Sequence, residues 1–213
     1  MLLTTTGLYT NLMSKTPGSL IPVGDKSNKD GFLQWKNRAL SQLDVNYRYS
    51  SVVFDARGAD GRSVDEMKAL AYQGYGQDSG VRAGDRAPQA PGLVDATGKE
   101  TSLFDIFEAN THTILLYATG ADEDNVKIAE IVKQLQTYPS GILQVVVLGR
   151  NGVLVVAGGA VTYHDKDGHA ARAYQVEYGT PHIVVVRPDG YIGAVAYDMD
   201  GVREYFSGVL KVD

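Results

Sequence analysis

Residues 179–193 read Gly-Thr-Pro-His-Ile-Val-Val-Val-Arg-Pro-Asp-Gly-Tyr-Ile-Gly. The apolar, mostly β-branched run from Ile183 to Val186 predicts a buried strand, and Tyr191-Ile192 begins a second one. Between them, Arg187-Pro188-Asp189-Gly190 predicts a turn, because proline presets φ and glycine accepts a positive φ. We therefore expect a β-hairpin, with Pro181 just before its first strand, where a proline costs no ladder hydrogen bond.

The segments before and after this hairpin alternate between strand and helix patterns. Residues 112–118 and 141–149 are apolar enough to be buried strands, and residues 122–138 carry apolar residues at helical spacing. Residues 151–161 are apolar and glycine-rich, residues 164–174 predict a loop and a short helix, and residues 201–212 predict a closing helix. The resulting order β-α-β-α-β-β-α is the thioredoxin arrangement. We therefore expect an α/β fold with a thioredoxin-like central mixed sheet flanked by helices.

The first eighty residues differ in character from the rest. Apolar spacing predicts helices over residues 1–15 and 32–43, joined by a polar, glycine- and proline-rich linker. Residues 45–54 are rich in β-branched and aromatic side chains and predict a strand, followed by a loop with a short helix to residue 80. After an entry loop from residue 84, a short hairpin turned at Thr97-Gly98 and a short helix around 103–107 are expected. The predicted division is an N-terminal helical extension and connector over residues 1–80, and a thioredoxin-like domain over residues 81–213.

Composition and charge exclude several classes of function. The chain has no cysteine, which excludes disulfides, thiolate metal sites and thiol redox chemistry. A formal net charge of -5 without a cluster of Lys and Arg argues against a nucleic-acid partner. No apolar run approaches the roughly 20 residues that span a bilayer, and the N-terminus lacks the pattern of a secretory signal. We expect a cytoplasmic protein that is not a membrane protein.

Several motifs in this chain resemble one known family. They are Val81-Arg-Ala-Gly-Asp-Arg-Ala-Pro, Ile114-Leu-Leu-Tyr, Asp165-Lys-Asp-Gly-His-Ala-Ala-Arg-Ala-Tyr and Val185-Val-Arg-Pro-Asp-Gly-Tyr-Ile-Gly. Together they resemble the C-terminal thioredoxin-like domain of FAD-dependent phenol hydroxylases and related aromatic monooxygenases. The segments beginning at Leu2 and Leu40 resemble the stretch that leads from the FAD fold to that domain. The resemblance implies a role in subunit contacts and no thioredoxin dithiol.

The flavin motifs of that family are missing here. A flavin monooxygenase of this kind needs Gly-x-Gly-x-x-Gly at a helix N-terminus to bind the pyrophosphate, and no such motif occurs. Gly158-Gly159 lacks the third glycine and the helix start. The chain is therefore expected to bind no flavin or other cofactor, and to act as a homodimer or beside a flavin monooxygenase-type partner.

One segment holds the densest set of titratable side chains. It contains His164, Asp165, His169 and Tyr174, which are candidates for catalysis because a His beside a carboxylate can act as general acid or base near neutral pH. The same segment has a structural interpretation, since Asp-Lys-Asp-Gly is typical of a turn and Arg172 and Asp165 could simply pair. No His-x-x-x-His or His-x-Glu spacing is present, so no metal site is predicted.

A second candidate group is aromatic. Trp35, Tyr47 and Tyr49, with Arg172 and Tyr178 from the polar segment, are the residues predicted for a pocket or an interface. The alternative for the aromatic residues is packing between the extension and the domain.

Two functional hypotheses follow. The first is a non-catalytic module, related to the C-terminal part of flavin aromatic hydroxylases, that dimerises or docks on a partner. The second is a cofactor-free cyclase, isomerase or dehydratase that acts on an aromatic or polyketide-like small molecule by Tyr, His and Asp acid-base chemistry. The second depends mainly on the resemblance.

Overall fold

The structure is a computed structural model that describes residues 46–58, 66, 80–118, 122–150, 156, 158–176 and 182–210. Val45–Asp213 form one compact unit. The helices predicted over residues 1–43, most of the predicted connector over 55–80, and Pro181 lie outside the described residues. No described helix has both the length and the apolar character that crossing a membrane requires.

One mixed sheet of eight strands organises the described chain. The strands are β1 (Phe54–Asp55), β2 (Leu93–Val94), β3 (Glu100–Thr101), β4 (His112–Ala118), β5 (Leu143–Gly149), β6 (Val161–Asp165), β7 (Ile183–Val186) and β8 (Ile192–Ala196). Their order across the sheet is β1-β8-β7-β4-β5-β6-β2-β3. Strands β4, β5 and β6 are parallel, whereas β7 pairs antiparallel with β4 on one side and with β8 on the other.

Four described helices accompany the sheet: α1 (Leu103–Ile106), α2 (Asp122–Leu135), α3 (His169–Ala173) and α4 (Met199–Val209). Helix α4 begins at an N-cap, Asp198, whose carboxylate accepts the Gly201 N–H at 2.9 Å. Such a side-chain acceptor satisfies one of the free N–H groups of the first turn.

The two faces of the sheet carry two apolar layers, because successive residues of a strand point to opposite faces. In β4, Leu115 and Tyr117 join one layer, with Leu103 of α1 and Tyr174 after α3. Ile114, Leu116 and Ala118 join the other layer, which contains the apolar faces of α2 and α4. A layer on each face explains why β4, β7 and β8 are almost continuously apolar.

The predicted hairpin is confirmed, with Gly190 at φ +79 in its turn. The entry loop pairs with this hairpin: the Gly84 N–H donates to the Ile192 carbonyl at 2.7 Å, and the Ile192 N–H donates to the Asp85 carbonyl at 2.8 Å. The Ala87 N–H donates to Gly190 in the same way. Two of the motifs quoted above are thus parts of one backbone arrangement.

Two local predictions are wrong. The strand expected over residues 45–54 is reduced to Phe54–Asp55, since residues 46–53 form turns and Tyr49 has φ 63. The predicted element order is also wrong at one place, because it has no strand between β5 and α3. Strand β6 (Val161–Asp165) lies there, so His164 and Asp165 end a strand and do not begin a loop. The division predicted between residues 80 and 81 stays a prediction; residues 46–58 lie in the same compact unit as the sheet.

Candidate functional site

The polar segment places its acidic candidate, Asp165, in a structural role. Its side chain is 3% exposed, and its two carboxylate oxygens accept the N–H groups of Ala170 and Ala171 at 3.3 and 2.9 Å. These donors are in α3, whose first N–H groups have no partner within the helix. Asp165 therefore fixes the start of α3, and its carboxylate is occupied.

Tyr174, another catalytic candidate, is buried at the end of the same segment. Its hydroxyl donates to the Pro88 carbonyl at 3.0 Å, and its ring lies 6.2 Å from that of Tyr117. Burial raises the pKa of Tyr174 far above the ordinary range of a tyrosine. Since a general acid needs a pKa near the working pH, this hydroxyl is suited to hold the entry loop rather than to transfer protons.

The remaining polar candidates lie at the surface. His164 Nε2 is 3.0 Å from the Arg150 carbonyl oxygen, and His169 Nδ1 is 3.0 Å from a guanidinium nitrogen of Arg172. Asp165 and Arg172 line an open cleft of about 410 Å³ together with Arg150 and Lys166. His164 and His169 do not line it. Trp35 and Tyr178 lie outside the described residues, and no group of three metal-binding side chains occurs among the described residues.

The stretch that contains Tyr47 and Tyr49 is tied to the entry loop by a buried ion pair. Arg48 contacts both carboxylate oxygens of Asp85, at 2.5 and 2.6 Å, and the two side chains are 8% and 1% exposed. The Arg82 N–H donates to the same carboxylate at 2.9 Å. A two-point contact between guanidinium and carboxylate fixes orientation as well as distance. The pair therefore fixes residues 46–58 against the sheet.

Gly84 lets the two segments approach each other. Its φ is +94, and a side chain there would overlap the backbone of Tyr47 and Arg48. The Tyr47 N–H donates to the Gly84 carbonyl at 2.7 Å. Tyr49 lines a small cleft of about 210 Å³ with Arg82 and Asp55.

Tyr47 belongs to an exposed surface around the hairpin turn, which we name the turn face. Its ring is 43% exposed, packs edge-on against Tyr191 at 4.8 Å, and lies 5.7 Å from the Arg187 guanidinium. Next to it is a cleft of about 420 Å³ with an aromatic floor of His112 and Tyr205. The turn face consists of Tyr47, Val52, Arg187, Pro188, Asp189 and Val209.

The floor of this cleft is electrically neutral near pH 7. Burial, with the Arg187 charge adding to it, lowers the pKa of His112. Burial also raises the pKa of Tyr205 to about 12. The Tyr205 hydroxyl is covered, lies against Gly193 and makes no hydrogen bond with the described residues. The charges of the cleft therefore come from Arg187 and Asp189, which pair at 2.6 Å.

A histidine at the opposite end of the sheet was not among the predicted site residues. His182 is 6% exposed and lies edge-on to Tyr117 and Tyr197, at 6.1 and 5.6 Å between ring centres. Burial, together with the nearby Arg57 charge, lowers the pKa of His182 to about 4. Its place just before a strictly apolar strand was the one sequence signal of burial.

The strand order and the helices on both faces define a thioredoxin-like fold. Among solved structures, a domain of a possible thiol-disulfide isomerase from Cytophaga hutchinsonii matches with a TM-score of 0.51 and 16% identity, covering 62% of this chain and 95% of the other. The thioredoxin domain of a thiol-disulfide oxidoreductase from Bacteroides vulgatus matches with a TM-score of 0.47 and 16% identity, covering 62% of this chain and 99% of that one. The predicted fold class is confirmed.

A family model gives a more particular similarity. Residues 154–213 match the C-terminal dimerisation domain of phenol hydroxylase. The matched residues contain β6, α3, the β7–β8 hairpin and α4. The family resemblance seen in the sequence is thus supported over this part of the chain. A comparison with curated proteins finds none that matches.

Proposed function

We propose that this chain is a non-redox, thioredoxin-like module whose function is to pair with a second copy of itself. The observation that carries this proposal is the match of residues 154–213 to a family described as a dimerisation domain. Those residues supply the hairpin and the last helix, and hence four of the six residues of the turn face.

The fold alone does not imply redox chemistry. Thiol-disulfide exchange requires a thiolate to attack a disulfide sulfur, and this sequence has no cysteine. The neighbours named for thiol-disulfide reactions therefore share the architecture of this chain, and a shared fold does not define its function.

The acid-base hypothesis receives less support from the geometry. Asp165 and Tyr174 are both engaged in bonds that hold α3 and the entry loop. His164 and His169 lie outside the cleft of the polar segment. Catalysis by these four residues, docking on a flavin monooxygenase-type partner and a cytoplasmic location remain predictions.

The mass of the purified chain in solution tests the proposal. Size-exclusion chromatography with light scattering is expected to give twice the chain mass of 23.0 kDa, with dissociation on dilution. A mass of 23.0 kDa that persists at the highest soluble concentration would contradict the proposal. Adding flavin should change neither the mass nor the absorbance spectrum of the protein beyond the sum of the two components.

A further inference from the structure

We propose that two copies meet through the turn face, in a two-fold arrangement that sets Arg187 against Asp189 of the partner subunit. This inference rests on the proposed function and adds the surface and the specific contact. In a two-fold dimer the same patch is used by both copies, so it has to be complementary to itself.

The composition of the turn face fits such an interface. Protein interfaces are enriched in Tyr and Arg and depleted in Lys and Glu. The turn face presents Tyr47 and Arg187, and neither Lys nor Glu is among the described residues that line its cleft. Val52 and Val209 are 40% and 37% exposed on the same cleft. Apolar side chains thus surround one cation and one anion.

The charges of the turn face make it self-complementary. Arg187 and Asp189 lie on the same turn, with side chains 24% and 45% exposed, and each already has its counter-charge at 2.6 Å. A second copy related by a two-fold axis presents the same two charges in reversed order. Each Arg187 can then bind Asp189 of the partner subunit as well as its own, which forms a four-charge cluster without net charge.

The fold holds this surface in a fixed geometry. The turn is closed by the Arg187 N–H, which donates to the Tyr191 carbonyl at 2.8 Å, and by the Gly190 N–H, which donates to Arg187 at 2.9 Å. The Tyr47 ring is held against Tyr191, and the backbone of its neighbour Arg48 lies against Gly84. A surface that is ordered before binding loses little conformational entropy on binding.

Charge reversal on the turn tests the specific contact. Arg187→Asp places only acidic groups on both faces of the dimer, and Asp189→Arg places only basic groups there. Each variant alone is expected to dimerise at least about tenfold more weakly, since like charges that face each other cost several kcal/mol. An equimolar mixture of the two variants is expected to form a heterodimer with an affinity near that of the unmodified chain. Sedimentation velocity measures the dissociation constants of the two variant homodimers, and a fluorescent label on one variant in the mixture gives that of the heterodimer.

A matched pair of helix-surface variants tests the apolar part of the same face. Val209→Asp, at the end of α4, is expected to weaken dimerisation at least about tenfold. Val126→Asp is the control, because Val126 is 68% exposed on α2 and lies outside the turn face. Circular dichroism and thermal unfolding confirm that each variant is folded before its dimerisation is measured.

The outcomes distinguish a wrong interface from a wrong function. A dimer that is weakened by the turn-face variants and rescued by mixing supports the inference. A dimer that none of these variants affects overturns the turn face while the proposed function stands. An unmodified chain that is monomeric overturns both.

Discussion

Removal of the negative charge of Asp85 is expected to be among the most destabilising single substitutions in this protein. Asp85→Asn keeps the shape of the side chain but removes the carboxylate charge that the buried Arg48 guanidinium contacts. Breaking a buried ion pair from one side costs about 3–5 kcal/mol. For a chain of this length, that corresponds to a fall of roughly 6–20 °C in melting temperature.

Urea unfolding followed by circular dichroism measures this loss. Asp200→Asn is the control, because it removes the partner of Arg203, a pair that lies outside the turn face with side chains 56% and 86% exposed, and it is expected to cost less than about 1 kcal/mol. Replacing both buried charges, as in Arg48→Met with Asp85→Leu, should recover most of the lost stability, since the ion pair is then removed from both sides. Two results would contradict this expectation: a loss for Asp85→Asn as small as that for Asp200→Asn, or a double variant that loses the sum of the two single losses.

Three further predictions concern stability. First, the pKa of about 4 for His182 means that the unfolded chain takes up a proton before the folded one does. The free energy of unfolding should therefore fall as pH drops from about 6.5 to about 4, by at most about 3 kcal/mol, and His182→Phe should reduce this slope in urea titrations at several pH values. Second, Gly201→Ala should destabilise α4, because the new Cβ would lie 2.6 Å from the half-buried ring of Phe54 and 2.9 Å from the Cβ of Ala196, whereas Gly208→Ala meets only ordinary contacts and should stabilise the helix by about 0.5–1 kcal/mol; thermal unfolding of the two variants compares them. Third, Tyr205→Phe should raise the free energy of unfolding by about 1 kcal/mol, because its buried hydroxyl makes no hydrogen bond with the described residues, whereas Tyr174→Phe should lower it by about as much in the same urea assay.

The strands at the centre of the sheet could be predicted because their continuous apolar sequences indicate burial on both faces. Strand β4 was expected over residues 112–118 and occupies that range. The hairpin carried both an apolar run and its own turn chemistry, so its strands and its turn could be placed from local signals. Helix α4 was expected to begin at residue 201 and begins at Met199, where Asp198 supplies the cap.

The two wrong assignments have different causes. Residues 45–54 have the composition of a strand, but Arg48 forms an ion pair with Asp85, 37 residues further along the chain. The turns around Arg48 place its side chain for this contact, and they replace the strand that the composition favours. The end of β6 was predicted as a loop because Asp165-Lys-Asp-Gly is a sequence typical of a turn. The turn begins at residue 166, two residues later than expected, because Asp165 completes the strand and then binds the N–H groups of α3.

The candidate site was only partly accessible from the sequence. Tyr47 was named for a pocket or interface, and its exposed ring lies on the turn face. Arg187 and Asp189 were recognised only as turn residues, since their position beside Tyr47 depends on the fold of the entry loop. Val52 and Val209 are 157 residues apart in the chain and line one cleft. Such a surface has no local sequence signature.

The outermost strands that the described part of the chain contributes to the sheet limit how copies of this chain can assemble. Strand β1 pairs with β8 through two residues, and β3 at the other border is equally short. Such short edge strands offer too few free N–H and C=O groups to pair with a strand of another molecule. Association by a shared, intermolecular sheet is therefore disfavoured, and recognition between copies falls to side chains.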